Sequence, residues 1–336
     1  MNNLNNQLEM FEPEGHKLTI LSLGAGQDSV VLLLMHIENF KTNNIGFRDQ
    51  FVHKNSDFLI IMSNTGNEFP ATLKIVEYCN LRCIEAGIDF VYITKDMGYH
   101  SKSWPSLVEF YESHDTIGSK AFPKTCSANL KIYPIYRFIE RYISDKYGVV
   151  YGKKKGFREF AAIHGKIVMI IGISKGEEKR TSDASQSKNR WYRESIQHSY
   201  PLIELQYDRQ KCQDFLHTRK LRVIPSNCIF CPFLSKEELE YISRFHPEEL
   251  KHWVKLEQNK LNRFQHLNKV QKLDANGKPA LDRHGEPKLQ NKNYGVFGVK
   301  PLPVVIKEAK EEFADWSDER VRDYRYSHGH CVSTSY

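Results

Sequence analysis

The 336-residue chain lacks any apolar run near the roughly 18–20 residues that a membrane-spanning helix requires. Its first residues, MNNLNNQLEMFEPEGHK, are polar and acidic and do not form a secretory signal. The expectation is a cytoplasmic protein with no membrane partner. Cysteine is scarce and odd in number, at seven. That disfavours a disulfide framework and favours reduced thiols, a metal site or redox chemistry. There is no Gly-Lys-Ser/Thr loop and no Gly-x-Gly-x-x-Gly, which excludes the Walker A and dinucleotide fingerprints. No internal repeat or low-complexity tract is evident. The charge excess is slight: 48 Lys plus Arg against 41 Asp plus Glu leaves +7, which permits an anionic partner without demanding one. What is present, 40% hydrophobic and 26% charged residues, fits a globular chain with a sizeable core in one large domain or two small ones.

Strand-like and helix-like segments alternate in the first half. Residues 18–23, 57–63, 90–94 and 167–173 are apolar and β-branched enough for buried strands. Between them, 30–37, 70–86 (opened by proline) and 132–146 have helical character. The pattern predicts an α/β fold with a doubly wound, mostly parallel sheet and helices on both faces. Residues 146–158, with GKKKGFR, suggest a basic loop, and 274–293 a polar loop or hairpin. From Glu237 the chain turns helical and charged, so a domain at 1–235 and a helical C-terminal extension at 236–336 are expected.

The sharpest local feature is LSLGAGQDSVVLLL, residues 21–34. The strand runs into Gly24-Ala25-Gly26-Gln27-Asp28-Ser29 and a helix begins at once. Small residues allow close backbone approach, and successive N–H groups at a helix start suit phosphate. The plainer alternative is a tight turn with Asp28 and Ser29 as ordinary helix-start residues.

The loop resembles the SGGxDS loop of the PP-loop ATP pyrophosphatases, in the phosphoadenylyl-sulfate (PAPS) reductase-like branch. Four further segments resemble that branch, in its order. Asn64-Thr65-Gly66-Asn67-Glu68-Phe69-Pro70 with Thr72 is similar to "DTG…E.P.T". Lys124-Thr125-Cys126 through Leu130-Lys131-Ile132-Tyr133-Pro134 is similar to "C…KV.PL". Gly172-Ile173-Ser174-Lys175 through Arg180 is similar to "GIR..ES..R", and Cys228-Ile229-Phe230-Cys231 to "GC..C". The resemblance covers roughly residues 18–235. It departs at Gly24-Ala25 for Ser-Gly, Gln27 for Lys, Asn64 for Asp and Ser174 for Arg.

The resemblance implies ATP bound with Mg²⁺ at the carboxyl ends of the strands and cleaved between its α and β phosphates. Ser22, Gly24, Ala25, Gly26, Gln27, Asp28 and Ser29, with Asn64, Thr65, Gly66, Glu68, Gly172 and Lys175, would contact the nucleotide. Asp28 would help hold Mg²⁺, Ser29 would donate to phosphate, and Arg180 would supply charge missing at Gln27. Glu68 would bond ribose or order its loop, or simply cap the following helix.

Cys79, Cys83 and Cys212 fall in apolar helical stretches and suit core packing. Cys228-x-x-Cys231 has metal or redox spacing. The resemblance adds Cys126 as a third ligand of a [4Fe-4S] cluster, with Ser127 where a fourth cysteine is usual. The fourth position would then be Cys331, a non-cysteine ligand or open; zinc with His328 or His330 is the alternative. Cys331 is also a candidate nucleophile, placed near the C-terminus as in the sulfonucleotide reductases but without their E-C-G-L-H wording.

Two activities are compatible with these parts: a PAPS or adenylyl-sulfate reductase, and a sulfurtransferase that adenylates a nucleic-acid oxygen. The preferred expectation is the ATP-pyrophosphatase component of DNA phosphorothioation in antiphage defence (the DndC and SspD type), working with DNA and a cysteine desulfurase or other sulfur-delivery protein. A homo-oligomer is compatible. Lys153, Lys154, Lys155, Arg158, Lys188, Arg190 and Arg193, with Trp191 and Tyr192, form a candidate DNA surface. A third class is a nucleotide-binding accessory of CRISPR loci or mobile elements.

Overall fold

The computed structural model describes residues 15–328. In chain order its main elements are β1 (Leu18–Ser22), α1 (Gln27–Glu38), β2 (Asp57–Ser63), α2 (Pro70–Ala86), β3 (Asp89–Ile93), α3 (Leu107–His114), α4 (Tyr133–Tyr147), α5 (Lys155–His164), β4 (Ile167–Ile171), β5 (Ile196–Ser199), α6 (Arg209–His217), α7 (Lys236–Phe245), α8 (Pro247–Arg263), α9 (Leu302–Glu312) and α10 (Asp318–Ser327).

The strands form one parallel sheet in the order β3-β2-β1-β4-β5. Successive side chains of a strand point to opposite faces, and this chain makes both faces apolar. Leu21, Ile60, Met62, Val168 and Ile170 pack under α1, α2 and α6. Their neighbours Leu18, Ile20, Leu59, Ile61, Ile167 and Met169 pack under α4 and α5. The result is a three-layer doubly wound α/β fold, in which connections leave β1 toward β2 on one side and return to β4 on the other. Cys79, Cys83 and Cys212 are buried free thiols in the first of these cores, as expected for packing residues.

A further core joins Phe69, after β2, and Leu107, Tyr111 and Leu130, from α3 and the segment before α4, to Phe230, Trp253, Leu302 and Val305. Helices α7, α8 and α9 thus share a core with the loops at the carboxyl end of the sheet. Ser235 and Glu238 start α7 with a capping box, in which each side chain bonds the other's backbone N–H.

Three features depart from expectation. The basic stretch at 146–158 becomes helix α5 from Lys155, because Phe157 and Phe160, one turn apart, are both buried against the sheet. Strand β5 and helix α3 were not anticipated. The segment at 274–293 holds two tandem turns of like construction: Asp274 Oδ1 accepts from the N–H of Asn276 and Lys278, and Asp282 Oδ1 from those of His284 and Glu286. They correspond to LDANGKPA and LDRHGEPK, an eight-residue repeat overlooked in the sequence. Among the described residues no helix is long and apolar enough to cross a membrane.

Candidate functional site

Between β1 and α1 the chain turns within four residues. Ala25 adopts a left-handed φ of 53°. Gly26 occupies the N-cap of α1, and no side chain caps that helix. Ser29 instead closes the turn: its Oγ accepts from the N–H of Gly24 at 3.1 Å and donates to the carbonyl of Gly26 at 3.2 Å. Its hydroxyl proton is therefore spent inside the loop. The helix start, with its uncapped amides, opens on a cleft of about 200 Å³. Ser22, Ser63 and Ile171, at the carboxyl ends of β1, β2 and β4, line it with Gly24, Gly26 and Gly172. This is the switch point of the sheet, where α/β folds of this kind hold ligands.

The cleft is charged as well as polar. Asp28 lines it, and its Oδ2 accepts from the N–H of Ser174 at 3.1 Å. Burial pushes the Asp28 carboxyl above its usual range and the nearby Glu177 adds to this, while Arg209, Arg180 and the Ser174 bond pull it down. Arg180 and Arg209 also line the cleft, and both donate to Glu177, Arg209 at 2.8 Å. Gly172 lets β4's end approach the helix start: a Cβ there would lie 2.8 Å from the Ser29 nitrogen. Two expected contacts point elsewhere. The Gln27 carboxamide is buried and donates to the carbonyls of Val223 (2.9 Å) and Tyr326 (3.0 Å), so Gln27 borders the cleft while its polar end faces the protein. Lys175 is exposed, and its ammonium bonds Gln206 outside the cleft.

The loop after β2 borders a second cavity rather than the cleft. Asn64 Oδ1 accepts from the N–H of Gly66 at 2.8 Å, an Asx turn. Gly66 is left-handed at φ 74°, and a Cβ would strike Ser106. Glu68 Oε1 accepts from the Thr65 hydroxyl at 2.9 Å, so Glu68 orders its own loop and does not cap α2, whose N-cap is Phe69. The Thr65 hydroxyl also lies 3.2 Å from Cys228 Sγ. Cys126, Cys228 and Cys231 converge with Thr65 and Lys124 on one small cavity of about 20 Å³, room for about one water. Burial pushes the Cys228 thiol well above its ordinary value; Glu68's charge adds to that and Lys131 opposes it.

Lys131 lines both the cleft and the thiol cavity. So does one chain segment. Pro225 and Ser226 border the cleft, with Ser226 against Gly24 and Gly26, while Cys228, Phe230 and Cys231 border the cavity. Asn67 anchors it, accepting from the N–H of Ile229 (2.9 Å) on its carbonyl and of Phe230 (2.7 Å) on Oδ1. Behind it stands α10. Arg325, 1% exposed, donates to the carbonyl of Pro225 at 2.7 Å and to Asn227 Oδ1, and pairs with Glu238 at 3.6 Å.

Ser22, Gly24, Gly26, Gln27, Asp28, Ser29, Gly172 and Arg180 thus gather at the cleft, while Thr65, Cys126, Cys228 and Cys231 gather at the cavity. Cys331 and His330 lie outside the described residues. Lys131, Arg209 and Ser226 were not singled out beforehand. Lys131 and Ser226 carried a weak signal, standing inside the two motifs that hold the cysteines.

The three thiols fit the donor chemistry of an iron–sulfur cluster. They come from two chain segments, and beside them Glu68 Oε2 is buried with no hydrogen-bond partner among the described residues. Among the described residues no group of three or more His, Cys, Asp or Glu stands close enough to hold one metal ion. A single zinc needs its ligands around one centre, whereas each cluster thiolate binds a different iron.

No family model matches the chain, and no curated protein matches its sequence. Among solved structures it is similar to the U34-tRNA thiolase NcsA from Methanococcus maripaludis with its [4Fe-4S] cluster, at 15% identity and a TM-score of 0.36. That match covers 66% of this chain and 62% of the thiolase chain, less than two thirds of the latter.

Proposed function

We propose that the chain is a PP-loop ATP pyrophosphatase that adenylates a nucleic-acid oxygen and prepares it for replacement by sulfur, with the DNA backbone as acceptor. The observation that supports this best is the shared wall. A cleft built from helix-start amides and cations abuts a three-thiol cavity through Lys131 and the segment 225–231.

In this reading the triphosphate lies over Gly24–Ser29, with Lys131, Arg180 and Arg209 offsetting its charge in place of the lysine that Gln27 does not supply. An acceptor oxygen attacks the α phosphorus, the bond to the bridging oxygen breaks, and pyrophosphate leaves. A sulfur nucleophile then takes the place of the adenylated oxygen, and AMP departs with it. Asp28 would hold Mg²⁺, which when bound neutralises the leaving pyrophosphate. Cys126, Cys228 and Cys231 would hold the cluster, which when bound would supply the sulfur. The chain's own contribution is positioning and fixed charge. Loading must widen the small cavity and expel the thiol protons.

The test is anaerobic reconstitution with iron and sulfide analysis, followed by assay of AMP release with and without nucleic acid. Iron and sulfide near four each, and AMP release stimulated by DNA, are expected. An iron-free protein with full activity would remove the cluster from the reaction. Sulfite release from a sulfonucleotide would assign the reductase activity instead.

A further inference from the structure

The expected basic surface does not form an open aromatic platform. Tyr192 is buried, its hydroxyl 3.1 Å from that of Tyr136 and 2.7 Å from His198. Arg158 and Arg190 are both paired with Glu194, and Arg193 bonds the carbonyl of Ser187. Of the expected set, Lys154, Trp191 and Tyr192 line a cavity of about 360 Å³, bordered also by Tyr133, Tyr136, Arg137 and Asn189. Its size falls within the roughly 300–1,000 Å³ of small-molecule sites.

We propose that this cavity receives one unpaired nucleobase of the nucleic-acid substrate. The proposal names the substrate's bound form and rests on the function proposed above.

Four observations carry it. First, one stretch of chain serves both spaces: Lys131 and Ile135 line the cleft, while Ile132, Tyr133 and Tyr136 line the cavity. A nucleotide held here lies beside the site of adenylation. Second, of the aromatic rings that border it, Tyr133 and Trp191 differ in their support. Tyr133 is 49% exposed. Trp191 is fixed by ring contacts to Tyr136 (5.5 Å), Phe157 (4.8 Å) and Tyr192 (5.3 Å). A ring held in one plane stacks on a base with little further loss of freedom. Third, the cavity offers polar groups of the kind that address base edges. Asn189 stands at the N-cap position of the short helix Arg190–Ser195, yet its side chain does not cap that helix. The Arg137 guanidinium, which donates to the Tyr99 carbonyl at 2.9 Å, borders the cavity. Fourth, exposed cations adjoin lining residues in the chain and are available to flanking phosphates: Lys153 and Lys155 on either side of Lys154, and Lys188 before Asn189. Lys154 has a different task. It is tied to Glu140 at 2.9 Å and lies 5.5 Å from the Trp191 ring centre, holding the wall together.

A duplex keeps its bases stacked, so the cavity selects single strands, mismatches or flipped nucleotides. DNA and RNA share this chemistry, and separate arms distinguish them.

The experiment is fluorescence anisotropy of the full chain with labelled single-stranded DNA, single-stranded RNA and a fully paired duplex, alongside AMP release. Tyr133→Ala should weaken binding of at least one single strand about tenfold or more. It should leave duplex binding and nucleic-acid-independent ATP turnover unchanged. Asn189→Ala should alter base preference with a smaller loss. Trp191→Phe keeps a ring in the wall, and should remove the quenching of tryptophan fluorescence that a bound single strand produces. If Tyr133→Ala and Asn189→Ala bind all three ligands like the parent, the proposal is overturned. Strand binding that depends on Tyr133 in a protein that releases no AMP would retain the base site while discarding the proposed activity.

Discussion

The cleft and the thiol cavity share a wall and are prepared in opposite ways. The cleft is polar and open at the switch point: uncapped amides line it with Lys131 and with two arginines that both donate to Glu177. The thiol cavity is small and apolar, and its Cys228 is held protonated by burial. An anion needs dipoles and charges fixed beforehand, since reorienting them on binding would cost free energy. A cluster brings its own charge and strips protons from its ligands, so its site can stay closed and neutral until loaded.

The segment that joins the two regions is the place to break both. Arg325→Ala removes the cation that holds Pro225 and Asn227 and leaves Glu238 buried without its partner. A loss of about 3–5 kcal/mol is expected in urea unfolding, with nucleotide and iron binding impaired together. Loss of only one of them would show that the regions are held independently.

Asp28→Ala should affect the cleft alone. AMP release should fall roughly 10²–10³-fold, while iron uptake and fold are retained. Unchanged turnover would move the nucleotide site away from the β1–α1 loop.

The two ends of the pH scale should separate stabilities. His36, in the helix that carries the loop, is buried and stacked on Phe58 with centroids 3.6 Å apart, and burial with nearby Arg48 lowers its pKa to about 4. Its unfolded value is near 6.5. The stabilisation is therefore full above pH 6.5 and is lost as pH falls through about 4, up to about 3 kcal/mol. His36→Phe should flatten that acid limb. The thiols act at the other end. Burial pushes Cys79 and Cys83 up to about 12 and raises Cys228 as well. Stability falls as pH rises from about 9, where unfolded thiols ionise, toward the raised folded values. Loading of iron should remove only the Cys228 part of this limb, which a denaturant series at several alkaline pH values measures.

The smallest effect is expected for Gly172→Ala. The added Cβ meets backbone atoms of Asp28 and Ser29 at 3.1 and 2.8 Å, so β4's end must retreat from the helix start. A cost of about 1–3 kcal/mol with weaker ATP binding and normal iron content would keep the two regions distinct.

The central sheet was legible because its strands are continuous apolar runs bounded by turns: four of five emerged within a few residues of their observed ends. Strand β5, IQHS, was not, because at an edge with mixed burial it has neither an apolar run nor strict alternation. Helix α5 was hidden by its lysines and glycines, although Phe157 and Phe160 held the signal. The glycine loop and the three cysteines were visible as motifs. The direction of the Gln27 side chain was not, since it depends on carbonyls of residues 223 and 326, remote in sequence. Arg209 escaped for a similar reason: nothing local distinguishes it from other surface arginines until Glu177 and the cleft are placed beside it.

The most direct test of the account is product identity. ATP is supplied to the anaerobically iron-loaded protein with single-stranded DNA, and the nucleotides formed are separated and quantified. The account predicts AMP and pyrophosphate in equal amounts, both reduced roughly 10²–10³-fold in Asp28→Ala. Formation of ADP and phosphate would contradict it.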